Sequence, residues 1–126
     1  MAWSGLDQRG FPRIAVQCDI LIREGSTEVI KTKTENLGGG GVCVILGQPL
    51  EKFSKVRLRV TLEPGQASGT IACDGRVVWT VRSKDPATQR LSYDTGIEFV
   101  NLAGGDETAI LRFTEAHLSR QLHSQF

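Results

Sequence analysis

Between residues 13 and 24 the chain reads RIAVQCDILIRE, with Ile14, Val16, Cys18, Ile20 and Ile22 on one parity and Gln17, Asp19 and Arg23 on the other. Alternation of period two marks a strand with one buried face, so this run predicts a half-buried first strand. Gly25-Ser26 is a turn signal. The following TEVIKTKTEN, rich in Thr and Lys with weaker alternation, predicts an antiparallel partner with an exposed face. GVCVIL, residues 41–46, is apolar on both parities and predicts a strand buried on both sides, ended by residues 47–49. In KVRLRVTL, Val56, Leu58, Val60 and Leu62 fall inward while Lys55, Arg57 and Arg59 form an outward basic stripe, most simply a solvated face. Pro64-Gly65 turns the chain, and residues 69–81 put Ile71, Cys73, Val77, Trp79 and Val81 on one parity, with Asp74-Gly75 a tight turn or a bulge. Residues 83–90 read as a loop. LSYDTGIEF then sets Leu91, Tyr93, Ile97 and Phe99 together as the sixth strand.

The period changes in the tail. Asp106 is placed to cap a helix in which Ile110, Leu111, Phe113, Thr114, His117, Leu118 and Leu122 recur at helical spacing. Several closely spaced strands followed by one helix predict a mainly β domain. It is an antiparallel barrel or sandwich with the helix packed on it or across an open end. At 126 residues the chain suits one domain.

Composition narrows the function classes. Fifteen Lys and Arg against fourteen Asp and Glu leave a net charge of +1, which excludes the global basic field of a sequence-independent DNA binder. Apolar runs are far shorter than the ~20 residues of a membrane-spanning helix, and no basic, apolar leader precedes the first strand, so a cytoplasmic protein without membrane insertion is expected. Cys18, Cys43 and Cys73 are odd in number, far apart and inside strand-like runs, which suits reduced core thiols.

Catalysis is not expected. His117 and His123 lack partners at metal-binding spacing, and no nucleophile elbow, phosphate-binding loop with its Lys, or paired carboxylates can be found. Two features stand out instead. In Gln8-Arg9-Gly10-Phe11-Pro12-Arg13, proline and its predecessor hold the segment extended. Arg9 and Arg13 then lie on one side, about 13 Å apart at ~3.3 Å per residue, able to straddle a ligand with two anionic groups. The second feature is Asn36-Leu37-Gly38-Gly39-Gly40-Gly41, part of a glycine complement of 14. A glycine loop can bring backbone N–H groups close to an anion or a flat ring, and Asn36 adds donors and an acceptor. Arginine pairs bidentately both with phosphate and with the O6 and N7 edge of guanine.

These residues resemble the PilZ domain, the bacterial receptor module for cyclic di-GMP. Arg9 and Arg13 match its R-x-x-x-R, in the local form R-x-F-P-R through Phe11 and Pro12. The run from Asn36 to Gly41 matches its [D/N]-x-S-x-x-G except that Gly38 stands at the usual Ser. Gly75-Arg76-Val77-Val78-Trp79 and the stretch from Tyr93 to Val100 resemble the family's later strands, so the likeness spans roughly residues 7 to 120. The resemblance implies a six-stranded antiparallel β-barrel with one C-terminal α-helix, and a cyclic di-GMP site formed by Arg9, Arg13, Asn36, Gly38 and Gly41. Gln8, Gly39, Gly40 and Cys43 stand beside it, Cys43 on its floor. The hydroxyl missing at Gly38 is worth roughly 0.5–1.5 kcal/mol, less than the charge-assisted arginine contacts, so weakened rather than lost binding is expected.

The expected organisation is an arm over residues 1–12, a barrel with terminal helix over 13–122, and a tail over 123–126. In the leading reading the arm orders over the nucleotide and so alters a surface offered to a downstream protein. The alternative is a PilZ-like adaptor that works without nucleotide, for which Gly38 and the non-basic Gln8 speak. A barrel for single-stranded DNA or RNA is disfavoured, because aromatic residues are 6% and Trp79 and Tyr93 fall on apolar parities. The helix stripe leaves monomer or dimer open.

Overall fold

A computed structural model of the chain describes residues 13–25, 28–63, 65 and 69–124. Arg9, Gln8, the rest of the predicted arm, Ser26, Pro64 and the last two residues lie outside the described residues. Seven strands are followed by one helix: β1 Arg13–Ile14, β2 Asp19–Glu24, β3 Ile30–Gly38, β4 Gly41–Leu46, β5 Lys55–Thr61, β6 Thr70–Lys84, β7 Leu91–Val100 and α1 Gly104–Ser124. Every pairing is antiparallel. The order β3-β2-β5-β6-β7-β4 closes on itself because β4 also pairs with β3, giving a six-stranded barrel, and β1 joins β3 as well. A barrel of this size has no channel, and side chains fill it. Ile20, Ile22, Leu37, Val42, Val44, Leu58, Val60, Ile71, Val77 and Ile97 are nearly inaccessible. Ile110 of α1 enters the same core, with Ala109 and Phe113 packed against it.

The predicted first strand is interrupted. Its parity holds, since Ile14, Cys18, Ile20 and Ile22 are buried, but residues 15–18 leave the ladder between β1 and β2. The reason is a change of register along β3: Arg13 and Ile14 face Gly38 and Leu37, whereas Asp19 faces Lys33, which leaves one extra residue on the N-terminal side. Thr34 repairs the gap. Its buried hydroxyl accepts from the Cys18 N–H at 2.9 Å and donates to the Val16 carbonyl, and its own N–H donates to the Cys18 carbonyl at 2.9 Å. Buried backbone groups must be paired, and here a side chain supplies what the ladder cannot. The β3–β4 ladder shifts at the same place, between Thr34 and Asn36.

The glycine run does not form an open loop. Gly38 ends β3, Gly41 starts β4 opposite it, and Gly39 and Gly40 make a two-residue turn, all four buried. A Cβ on Gly41 would lie 2.3 Å from the Ile97 carbonyl oxygen, so this position has to be glycine for β4 to lie against β7. Asp74-Gly75 is neither turn nor bulge but regular ladder. The bulge of β6 falls instead at Val78, between Val77, opposite Ile97, and Trp79, opposite Gly96. Beyond Arg76 the β5 ladder has run out. Val77 is held by the preceding loop, donating to the Ser54 carbonyl at 3.0 Å and accepting from the Phe53 N–H at 2.7 Å, with Phe53 in a left-handed conformation at φ 69°.

One extra residue reverses every later side chain. Trp79 and Val81 therefore leave the inward parity expected for them, and Val81 is 51% exposed. Leu91, expected in the core, is 44% exposed at the far end of the β6–β7 ribbon, and Ile45 makes β4 two-sided only in part. The helix begins at Gly104, so Asp106 and Glu107 occupy its first turn rather than capping it. They still favour the positive end of the helix dipole. His117 stacks on Phe113 at 6.3 Å between ring centres. No helix among the described residues is long and apolar enough to cross a membrane.

Thr34→Val keeps the shape of the side chain and removes the hydroxyl, so it should cost about 1–3 kcal/mol in urea unfolding by stranding buried backbone groups. Thr34→Ser should lose less, and equal losses would contradict the account. Burial raises the Cys73 thiol from 9.0 to about 11, with Arg57 opposing and Asp106 and Asp74 adding to the rise. The unfolded chain thus releases this proton first, and stability should fall as pH rises from 9 toward 11, by up to about 2–3 kcal/mol. Cys73→Ala should flatten that decline, and an unchanged slope would refute the assignment.

Candidate functional site

Strand register brings the two sequence features onto one wall. On β4, Val42, Val44 and Leu46 belong to the core, so Gly41 and Cys43 project outward. The same logic on β7 turns Gly96 and Glu98 outward on either side of the buried Ile97. Two neighbouring outward rows follow. One runs Gly38, Gly41, Glu98, Arg76 across β3, β4, β7 and β6, with the backbone of Arg13 on β1 paired to Gly38, and the other runs Asn36, Cys43, Gly96, Trp79 across the same four strands. Successive outward positions on a strand are about 6.6 Å apart, so the rows form one patch.

Its middle is bare. Gly38, Gly41 and Gly96 contribute no side chains, whereas the rim holds the carboxamide of Asn36, the indole of Trp79 and the Glu98–Arg76 ion pair at 3.8 Å. Trp79 packs against Cys43, which is only 6% exposed although it lies outside the main core. Since Gly96 stands between them in the ladder, the indole has a strand without a side chain to lie across. A large aromatic over a cross-strand glycine is a recognised way of covering exposed sheet backbone.

The electrostatics of the patch are local. The Asn36 Oδ1 atom is buried and has no hydrogen-bond partner among the described residues. A buried acceptor without a donor costs on the order of 1–3 kcal/mol, so native proteins keep few of them. Here it sits on the rim of a side-chain-free patch, where a donor group of a ligand would meet it. The Gly40 carbonyl is already engaged, accepting from the Phe99 N–H at 2.9 Å. Among the described residues no group of three or more His, Cys, Asp and Glu is placed to hold a metal ion.

The structure therefore brings together Arg13, through its backbone pairing with Gly38, and Asn36, Gly38, Gly39, Gly40, Gly41 and Cys43. Arg9 and Gln8 fall outside the described residues. Trp79, Gly96, Glu98 and Arg76 lie in the stretches that resemble the family's later strands, but the sequence does not assign them to the site. For Trp79 the signal was present in the doublet Val77-Val78, which breaks the alternation where the bulge occurs. The other three need the register of β7, which sequence periodicity does not give.

If Trp79 shields Cys43, Trp79→Ala should raise the rate of Cys43 modification by a thiol reagent at least about tenfold, whereas Cys18 and Cys73 stay protected in the core. Mass spectrometry of the labelled peptides distinguishes the three thiols. Equal rates in the variant and the parent would show that something else covers Cys43.

Residues 7–116 match the family model described as PilZ domain. The chain is 25% identical over 120 residues to the Bacillus subtilis protein YpfA, described as uncharacterized, covering 95% of this chain and 53% of that protein. Among solved structures it is similar to the Bacillus subtilis inhibitor of motility MotI/DgrA, with a TM-score of 0.71 and 24% identity over 92% of this chain and 52% of that one. It is also similar to the PilZ domain with c-di-GMP of YcgR from Escherichia coli, with a TM-score of 0.69 and 15% identity over 91% and 94% of the two chains. The chain thus spans about half the length of the curated relative.

Proposed function

Since the chain belongs to the PilZ domain family, we propose that it is a cyclic di-GMP receptor that acts by binding rather than by catalysis. The observation that carries this reading is the register that sets Arg13 beside Gly38 and puts Asn36, with its unpartnered Oδ1, in the next outward row with Cys43 and Trp79.

Each chemical part of the ligand has a counterpart. Arg9 and Arg13 supply guanidinium groups for phosphate and for the O6 and N7 edge of guanine, contacts that are charge-assisted and bidentate. Asn36 Oδ1 accepts from a guanine N–H donor, and glycines without side chains let a flat purine approach the backbone. Trp79 offers an indole face at the same patch, the kind of surface on which a purine stacks. Two cations suffice for a dianion, in keeping with a chain whose net charge is +1. Binding draws residues 1–12 over the nucleotide, and the rearranged arm changes what a downstream protein meets. The similarity to the PilZ domain of YcgR, a structure with c-di-GMP, supports the ligand class.

A second reading has its own support. Gly38 removes the hydroxyl that the family motif usually carries, and one structural neighbour is an inhibitor of motility, MotI/DgrA. In that reading the domain holds its protein partner without nucleotide.

Isothermal titration with cyclic di-GMP tests the first reading. Arg9→Ala and Arg13→Ala should each weaken binding by roughly tenfold to a hundredfold, the value of about 1.5–3 kcal/mol for a hydrogen bond to a charged group. Absence of heat with the parent protein, or binding untouched by both changes, would discard it. Co-precipitation of a partner without added nucleotide would favour the adaptor.

A further inference from the structure

The wall opposite the candidate nucleotide site carries a second surface. Around the barrel the order is β3, β2, β5, β6, β7, β4, so the patch on β3, β4, β7 and the end of β6 lies across the barrel from β2 and β5. On that opposite face Arg59 stands between Leu21 and Ala72, and Arg57 between Arg23 and Asp74. A groove of about 310 Å³ lies among Leu21, Arg23, Val29, Arg57, Arg59 and Ala72, and a second depression of about 260 Å³ shares Arg23 and Arg57 and reaches Lys55.

The charges are unevenly matched. Arg57 donates to Asp74 at 3.1 Å and Lys55 pairs with the same carboxylate at 3.5 Å, so one anion serves two cations. Arg23 and Arg59 have no ion-pair partner among the described residues. Arg23 also faces Arg57 directly across the ladder, a like-charge placement that opposes pairing of the strands. A chain with a net charge of +1 therefore concentrates uncompensated arginine beside an apolar floor.

We propose that this face docks an acidic, leucine-bearing segment of a partner protein. Carboxylates match the planar forks of Arg23, Arg57 and Arg59, and arginine is enriched among residues that dominate protein interfaces. The apolar part of the groove, half-buried Leu21 with exposed Val29 and Ala72, calls for apolar side chains from the same occupant. A nucleic acid would need a longer basic track than this near-neutral chain has, and a bilayer would need a larger protruding apolar surface than Val29 and Ala72 offer. The proposal is independent of the nucleotide reading, because no residue of the groove belongs to the Arg13–Trp79 patch.

Fluorescence anisotropy with a labelled peptide of alternating Glu and Leu tests it, alongside a Glu and Ser peptide of equal charge. The Glu/Leu peptide should bind the intact chain, the Glu/Ser peptide about tenfold more weakly, and amide shifts should concentrate at residues 21–23, 57–59 and 72. The double change Arg57→Glu with Arg59→Glu should reduce binding at least about tenfold, whereas Lys84→Glu, remote on the β6–β7 ribbon, should leave it unchanged. Circular dichroism confirms that both variants are folded. The proposal is overturned by equal binding of the two peptides, by equal loss in Lys84→Glu, or by shifts centred on Asn36 and Cys43. Absence of peptide binding, or tighter arginine-dependent binding to phosphatidylglycerol vesicles or a single-stranded oligonucleotide, overturns it as well.

Discussion

Closure of the barrel rests on β3, which must pair with β1, β2 and β4 at once, and on Thr34, where those ladders change register. A closed sheet has no free edge, but closure fixes how the strands must be staggered, and six strands with straight ladders do not satisfy that requirement by themselves. The stagger is taken up in two places along β3: an extra residue on the N-terminal strand and a shift against β4. Both would leave buried backbone groups unpaired. The Thr34 hydroxyl, by serving Cys18 and Val16 together, lets the chain bend away from β2 and lie down again as β1.

That bend is also what assembles the candidate site. Continuing the register of β2 would set Ile14 opposite Gly38, whereas the extra residue sets Arg13 there, at the glycine hairpin. The hairpin in turn depends on β4 approaching β7 so closely that Gly41 has no room for a Cβ. Stability and site chemistry therefore make the same demand on this glycine: the contact that closes the wall also keeps this position free of a side chain. The indole of Trp79 reaches that surface only because the β6 bulge at Val78 turns it outward. Strand β6 joins the two faces of the molecule, with Ala72 and Asp74 on the arginine side and Arg76 and Trp79 on the other.

Much of this was legible in the residues. Ile20, Ile22, Val56, Leu58, Val60 and Ile97 are buried as their alternation requires, because a pleated strand offers only two faces and water excludes apolar groups from one of them. The helix was equally clear from its period. What misled was local irregularity. Trp79 and Val81 continue an apolar parity that the bulge reverses, and Leu91 belongs to a ribbon that outruns the barrel, so nothing is available to cover it. The hydrophobic pattern records which residues prefer burial, not whether a neighbouring strand extends far enough to bury them.

By itself, the sequence determined the strand and helix types, the inward face of most strands, the basic stripe of β5 and the motif that links the chain to its family, because each depends on residues close together in the chain. Tertiary structure decided the stagger of the barrel, the fate of the glycine run as a buried hairpin and the outward turn of Trp79. It also decided the backbone pairing of Arg13 with Gly38, the row that gathers Asn36, Cys43 and Trp79 on one wall, and the meeting of Arg23 with Arg57 on the other. These are contacts between strands distant in sequence. Their register is set by closing the ring with every buried N–H and C=O paired, a condition on the whole sheet that no single segment carries.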